Sequence, residues 1–203
     1  MKRVALTGGI ATGKTYIRNL FTSWGIPTVD ADSLARDIVK PGSSAWRLVQ
    51  KRFGSEMFND DGTIARKRLA KLVFDDSAAR RALEDIIHPH VRASIDSWFD
   101  SLKESENRKF GIADIPLLFE TERAREFDFI ILTACSQETQ ISRLMKRDGL
   151  QQNEALKRLS AQLPTSQKIP FADFVIQTER TFEQIDKHAL KIFHELTQKT
   201  NSG

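Results

Sequence analysis

Residues 6–17 read LTGGIATGKTYI, and no other stretch constrains the fold of this chain as tightly. Gly8, four further residues, then Gly13, Lys14 and Thr15 satisfy a phosphate-loop pattern. The preceding residues 2–7, KRVALT, predict a short strand. After the loop, Ile17, Leu20, Phe21 and Trp24 recur at helical spacing and predict a helix from about Lys14 to Trp24, ended by Gly25. Glycines in such a turn let backbone N–H groups point inward around phosphate oxygens, where a Cβ would obstruct them. The start of the helix adds a positive dipole end to the same place. In this reading Gly8, Gly9, Ile10, Ala11, Thr12 and Gly13 cradle a nucleotide's phosphates, Lys14 reaches the β and γ phosphates, and the Thr15 hydroxyl ligates Mg²⁺. The bland alternative is that the glycines only turn a strand into a helix and Lys14 is a solvated first-turn lysine.

The rest of the chain continues the alternation. Residues 27–29 predict a second strand that delivers Asp30 and Asp32, and residues 109–115 a third. Residues 127–134 are apolar on both faces, as in a parallel strand covered by helices. Residues 171–177 supply a fifth strand and 182–197 a closing helix. The expected fold is α/β, a three-layer sandwich around a five-stranded parallel sheet, with ligands bound beyond the carboxyl ends of the strands. One stretch breaks the pattern: residues 33–104 look helical throughout, punctuated at Pro41 and Gly42, Gly54, and 59–62. An insertion on the sheet's carboxyl edge is well placed to hold a second substrate.

Composition enters where it excludes classes. No apolar run approaches the roughly 20 residues of a membrane helix. The N-terminal MKRVALTGG meets glycine and lysine before a signal-peptide core develops, so a cytoplasmic location is expected. The net charge of +4 comes from basic residues spread along helical stretches such as Arg66, Lys67, Arg68 and Lys71, and it suits an anionic small molecule as well as a nucleic acid. The single cysteine, Cys135, adjoins the apolar run 129–134 and reads as a buried, inert thiol.

A phosphate loop alone separates neither kinase nor switch nor motor. A guanine-specific switch should carry an Asn-Lys-x-Asp base reader and an Asp-x-x-Gly at the third strand; here Asp114 is followed by Ile115, Pro116 and Leu117. A small-molecule kinase needs an acid near the acceptor hydroxyl and arginines over the transferred group. Asp32 supplies the acid, or else Asp32 or Ser33 caps a helix beginning near Leu34. Asp114 either holds Mg²⁺ through water or is a strand-end aspartate bonded to a nearby amide. Arg143 and Arg147, four residues apart, share a helical face and can converge on one polyphosphate, or can make surface ion pairs.

These residues, with Arg36, Phe53-Gly54, Asp61-Gly62, Leu69, His88-Pro89, DIPLLFE at 114–120, QISRLMKRD at 140–148, Arg158, Gln162 and ADFVI at 172–176, resemble the dephospho-CoA kinase family in motif order and spacing. The resemblance covers nearly the whole chain. It implies ATP-dependent phosphorylation of the ribose 3′-hydroxyl of dephospho-CoA, the last step of coenzyme A biosynthesis, with ATP and Mg²⁺. It further implies a nucleotide-binding core of 1–32, 105–140 and 168–203, a helical CoA-substrate domain of 33–104 and a lid of 141–167. Asp32, Lys14 and Arg143 are then the catalytic set, Tyr16, Arg143 and Arg147 join the loop in binding nucleotide, and Thr15 holds the metal. The acceptor falls to Asp32, Arg36, Arg66, His88, Asp114, Leu117, Arg158 and Gln162. Expected partners are the two small molecules, neither nucleic acid nor membrane, for a monomer or weak homo-oligomer. Phe53 or Trp46 stacks on substrate or packs in a helical core, and Pro89 is expected to bend its helix. The family's usual GIGSGKST stands here as GIATGKTY, so Ala11 and Tyr16 replace a glycine and a threonine. Ala65 stands where an acid often precedes Arg66, and Gln177, Thr178 and Glu179 follow ADFVI where an asparagine is usual. The rival readings are another small-molecule kinase, such as a nucleoside monophosphate kinase, and a nucleotide-regulated binding protein.

Overall fold

The computed structural model describes residues 1–103 and 109–200. The boundary expected at 104/105 and residues 201–203 lie outside the described residues.

The chain divides into two compact units, residues 1–29 with 101–203, and residues 30–100. In the first, β1 (Lys2–Gly8) leads through the glycine loop into α1 (Lys14–Ser23), followed by β2 (Thr28–Asp30). Between β2 and β3 run α2 (Ala31–Asp37), α3 (Ser44–Phe53), α4 (Arg66–Asp75) and α5 (Ser77–Lys103). Then come β3 (Phe110–Asp114), β4 (Phe129–Ala134), α6 (Gln137–Asp148), α7 (Gln152–Ser160), α8 (Thr165–Lys168), β5 (Phe174–Gln177) and α9 (Phe182–Lys199).

The sheet has the order β2-β3-β1-β4-β5, with β1 parallel to both β3 and β4, and β5 parallel to β4. This is the expected five-stranded α/β fold. β3 stands between β2 and the strand that carries the loop. Burial explains the order. Val4, Ala5 and Leu6 of β1 are wholly buried and call for neighbours on both sides, whereas the three residues of β2 are only half-buried and suit an edge. β5 begins later than the sequence suggests, because Ile169–Phe171 make a 3₁₀ turn around Pro170, which has no N–H to give a ladder.

The core of this unit joins Val4, Leu6, Ile112, Ile131 and Ile176 of the sheet to Ile17 and Phe21 of α1 and Ile185, Ala189, Ile192 and Leu196 of α9. Each large side chain so buried contributes about 1.5–3 kcal/mol. That packing fixes the carboxyl ends of β1, β3, β4 and β5, and hence the loops that leave them.

The unit formed by residues 30–100 has its own core of Val49, Phe53, Phe58, Leu69 and Ala79, with Trp46 packed against it. The Trp46 indole N–H donates to Gly62 O at 2.7 Å and its ring meets Phe58 edge-on. Trp46 and Phe53 are therefore packing residues of this unit. Pro89 lies inside α5, which runs unbroken from Ser77 to Lys103. Proline removes one donor and crowds the preceding turn, but burial of Val91, Ile95 and Phe99 along the same helix outweighs that cost.

Candidate active site

Everything at the carboxyl end of β1 serves the shape of the loop. A Cβ on Gly8 would lie 2.0 Å from Thr133 Oγ1 and 2.6 Å from Thr12 Oγ1, so only glycine lets β4 and the loop close in. Gly13 has φ +86° and turns the chain into α1. The Thr12 hydroxyl donates to Gly9 O at 2.7 Å and sits 2.7 Å from Thr133 Oγ1. Thr178 Oγ1 donates to Thr12 O at 2.8 Å. Two glutamines bracket the next residue: Ile10 N–H donates to Gln162 Oε1 at 2.8 Å, and Ile10 O accepts from Gln140 Nε2 at 2.7 Å. Ala11, in the place of the family's glycine, holds φ +60°, a left-handed conformation that costs a non-glycine residue about 1–2 kcal/mol. The loop is thus a strained cradle fastened from outside. Lys14 and Thr15 open α1, where the first amides have no acceptor within the helix and are available to an anion.

Beneath the cradle, the Lys14 ammonium is bonded to Asp114 Oδ1, and Arg18 Nη1 lies 3.3 Å from Asp114 Oδ2. Asp114 is 1% exposed. A carboxylate buried so deeply needs cations beside it. Its bond is to the loop lysine, where the sequence left a metal role and a bond to an amide open. Thr15 is the second residue of α1 and is exposed, its hydroxyl bonded to no other described residue.

Arg143, on α6, donates from Nη2 to Thr178 O at 2.6 Å and from Nη1 to Thr178 Oγ1 at 3.1 Å, with Ala11 O at 3.4 Å. It lies against the loop. Arg147 does not converge with it. Its guanidinium pairs with the adjacent Asp148 at 2.8 and 3.1 Å, and Arg158 reaches Asp148 Oδ2 at 2.6 Å. The pairing with Arg147 holds the Asp148 carboxyl below its ordinary range and pushes the Arg147 guanidinium up. Tyr16 contributes only backbone to the loop region, its N–H donating to Gly13 O at 3.1 Å. Its hydroxyl donates to Asp186 Oδ1 at 2.6 Å, which raises the phenol's pKa, and its ring rests 5.0 Å from that of Phe182.

A cavity of about 870 Å³ opens beyond β4 and β5, lined in part by Gly9, Cys135, Gln140, Gln162, Thr165 and Glu179. Cys135 is buried, and burial pushes its thiol up from the ordinary range. Glu179 accepts from Ser136 Oγ and Thr139 Oγ1, and these hydroxyls hold its carboxyl low. Leu117 is half-exposed in the turn after β3, and its carbonyl accepts from the Thr121 hydroxyl at 2.7 Å.

The remaining expected residues belong to the unit 30–100. The cap of α2 is Asp30, in place of Asp32 or Ser33: its Oδ1 accepts from Asp32 N at 2.9 Å and its Oδ2 from Ser33 Oγ at 3.1 Å. The helix starts three residues earlier than the apolar pattern suggests because Asp30, ending β2, already has the extended backbone of a cap. The Asp32 carboxylate is exposed and bonded to no other described residue. Arg36 donates to Ser33 Oγ at 2.9 Å, Arg66 is the exposed first residue of α4, and His88 is exposed on α5.

Sequence reading missed Arg18, Thr133, Thr178 and Gln140 as parts of the site. Arg18 had a signal: it lies four residues after Lys14 and so on the same face of α1. The other three reach the loop only through strand order and carried no local mark.

Comparison with known proteins places these features in a family. The family model described as dephospho-CoA kinase matches residues 2–184. A dephospho-CoA kinase of Shouchella clausii is 39% identical, covering 95% of this chain and 100% of that one, and one of Arabidopsis thaliana is 38% identical, covering 97% and 84%. Among solved structures, a Thermus thermophilus protein aligns with TM-score 0.82 at 31% identity over 96% of each chain. A dephospho-CoA kinase from Campylobacter jejuni gives TM-score 0.74 at 27% identity, covering 97% and 98%. A shikimate kinase from Acinetobacter baumannii, at 15% identity and TM-score 0.52 over 98% and 94%, shares the fold.

Proposed function

The chain belongs to the dephospho-CoA kinase family, and on that premise we propose how its residues divide the work of moving the γ-phosphoryl group of ATP to the 3′-hydroxyl of dephospho-CoA. It is a kinase of coenzyme A biosynthesis. The observation that carries the proposed division is the fastened loop with Lys14 beside it. On binding ATP, the amides of the loop and of the first turn of α1 take the phosphate oxygens, and Lys14 exchanges Asp114 for the β and γ phosphates. Arg18 remains beside Asp114 after that exchange. Arg143, already against the loop, offers its charge to the migrating group.

Residues present suit a divalent cation: the exposed Thr15 hydroxyl and the Asp114 carboxylate are oxygen donors of the kind Mg²⁺ takes, with nucleotide phosphates supplying the rest. When bound, Mg²⁺ neutralises charge on the β and γ phosphates. Asp32 aims the acceptor hydroxyl; in a loose phosphoryl transition state its part is chiefly orientation. Arg36, Arg66 and His88 of the unit 30–100 hold the acceptor's phosphates. The segment after Gly149 that carries α7 is the proposed lid, starting where a left-handed glycine ends α6 and ending before the turn at 162–165. A lid starting at 141 would divide α6, whose Leu144 is wholly buried. Arg147 and Arg158 serve that segment through Asp148. Gln162 serves through Ile10. The proposed place of work is the cytoplasm. Among the described residues no helix is long and apolar enough to cross a membrane.

The test is an ADP-release assay across acceptors. Turnover with dephospho-CoA, none with nucleoside monophosphates, and a product phosphate located on the ribose 3′-oxygen are the expected results; robust turnover of a nucleoside monophosphate with none of dephospho-CoA overturns the assignment.

A further inference from the structure

Glu120 and Lys168 form an ion pair that the mechanism above does not use. Lys168 Nζ lies 2.7 Å from Glu120 Oε1, and the lysine side chain is 0% exposed. The same Oε1 accepts from Leu163 N–H at 3.1 Å, while Oε2 is buried with no partner among the described residues. Burying an ammonium wholly beside a carboxylate that is 16% exposed returns little stability compared with an apolar pair of the same volume, and leaving one carboxylate oxygen orphaned lowers the return further. Such a pair is explained better by the geometry it imposes. Leu163 is the residue after Gln162, whose side chain fastens Ile10. The turn that contains both leads directly into α8, at whose end Lys168 stands. Three attachments therefore meet on one short stretch: the carboxylate to Leu163 N–H, the ammonium at the end of α8, and the glutamine to the loop. Ala11, next to Ile10, holds its left-handed backbone only because its surroundings impose it.

We propose that the buried Glu120–Lys168 pair is a positioning device for the ATP site: it fixes the turn at residues 162–165 so that Gln162 clasps Ile10 and keeps the strained phosphate loop in its cradle shape. Neither residue touches the reacting groups. Both act through Gln162. The inference rests on the loop's being the ATP site, so its test is arranged to fail separately from that reading.

The experiment is a mutant cycle on the full-length chain. Glu120→Leu with Lys168→Met replaces the pair by apolar groups and leaves no unpaired charge; Glu120→Gln keeps an acceptor for Leu163 N–H. Gln162→Leu removes the clasp. Steady-state constants are measured for ATP and dephospho-CoA separately, with melting temperatures confirming that each variant is folded. The apolar pair and Gln162→Leu are each expected to lower kcat/KM for ATP about tenfold and to leave KM for dephospho-CoA within twofold. Combining all three substitutions should cost no more than Gln162→Leu alone, and Glu120→Gln, which strands the buried Lys168 ammonium, should lower both the melting temperature and kcat/KM for ATP. Losses that multiply, or that fall on dephospho-CoA alone, or an apolar pair as active as the parent, each overturn the proposal. Loss of the kinase assignment itself would appear differently, as no turnover of dephospho-CoA by the parent chain.

Discussion

Ala11 has a glycine's backbone, φ +60°, and a side chain the position does not favour. Replacing it with glycine relieves left-handed strain of about 1–2 kcal/mol and returns about 0.5–1 kcal/mol to the freedom of the unfolded chain. Ala11→Gly is expected to stabilise the protein by about 0.5–1 kcal/mol, a rise of roughly 1–4 °C in Tm by calorimetry; an unchanged or lower Tm would show that the strain is not there. Cys135 gives a second check. With its thiol buried and its pKa pushed up, it should resist a thiol reagent at pH 7 in the native protein and react fully in denaturant. At this scale the sequence was informative where chemistry needs a fixed spacing, as at Gly8, Gly13, Lys14 and Thr15. It was silent on Thr133, Thr178 and Gln140, which matter because of where β4, β5 and α6 bring them.

Elements were legible from periodicity, and their ends were not. β1, α1, β4 and α9 lie within a residue or two of expectation, since each presents a clear apolar face to one core. α2 starts early because a polar cap, Asp30, decides where it begins. Pro89 sits inside α5, and burial along that helix carries it through the missing donor. Pro89→Ala restores a donor and removes a clash, so it should raise stability by about 1–3 kcal/mol, read as an upward shift in the denaturant midpoint. Acid acts on the two ends of α6 through two carboxylates. Asp148, paired with Arg147, and Glu179, held by Ser136 and Thr139, both have lowered pKa values when folded. The stability they add is present above the ordinary values of 3.8 and 4.5 and drains away as pH falls below them. Unfolding free energy should therefore be flat through neutrality and decline below about pH 4.5. Asp148→Asn with Glu179→Gln should make that decline shallower, whereas an identical decline would locate the acid sensitivity elsewhere.

For the molecule as a whole, the alternation of strand and helix announced the sheet. The chain also divides into two compact units, the second being residues 30–100. Strand order was beyond sequence reading, because which strand takes the edge depends on burial summed over the sheet. The same holds for Arg147: its spacing from Arg143 suggested a shared ligand, and its neighbour Asp148 decided otherwise. The account assigns ATP to the fastened loop and the aim of the acceptor to Asp32, a separate task from nucleotide binding. The direct test is the turnover of Asp32→Asn with dephospho-CoA, set beside its affinity for ATP measured by calorimetry. The account predicts that turnover falls by about 100-fold while ATP affinity stays within threefold. Turnover equal to that of the parent chain, or a loss matched by an equal loss of ATP affinity, would contradict it.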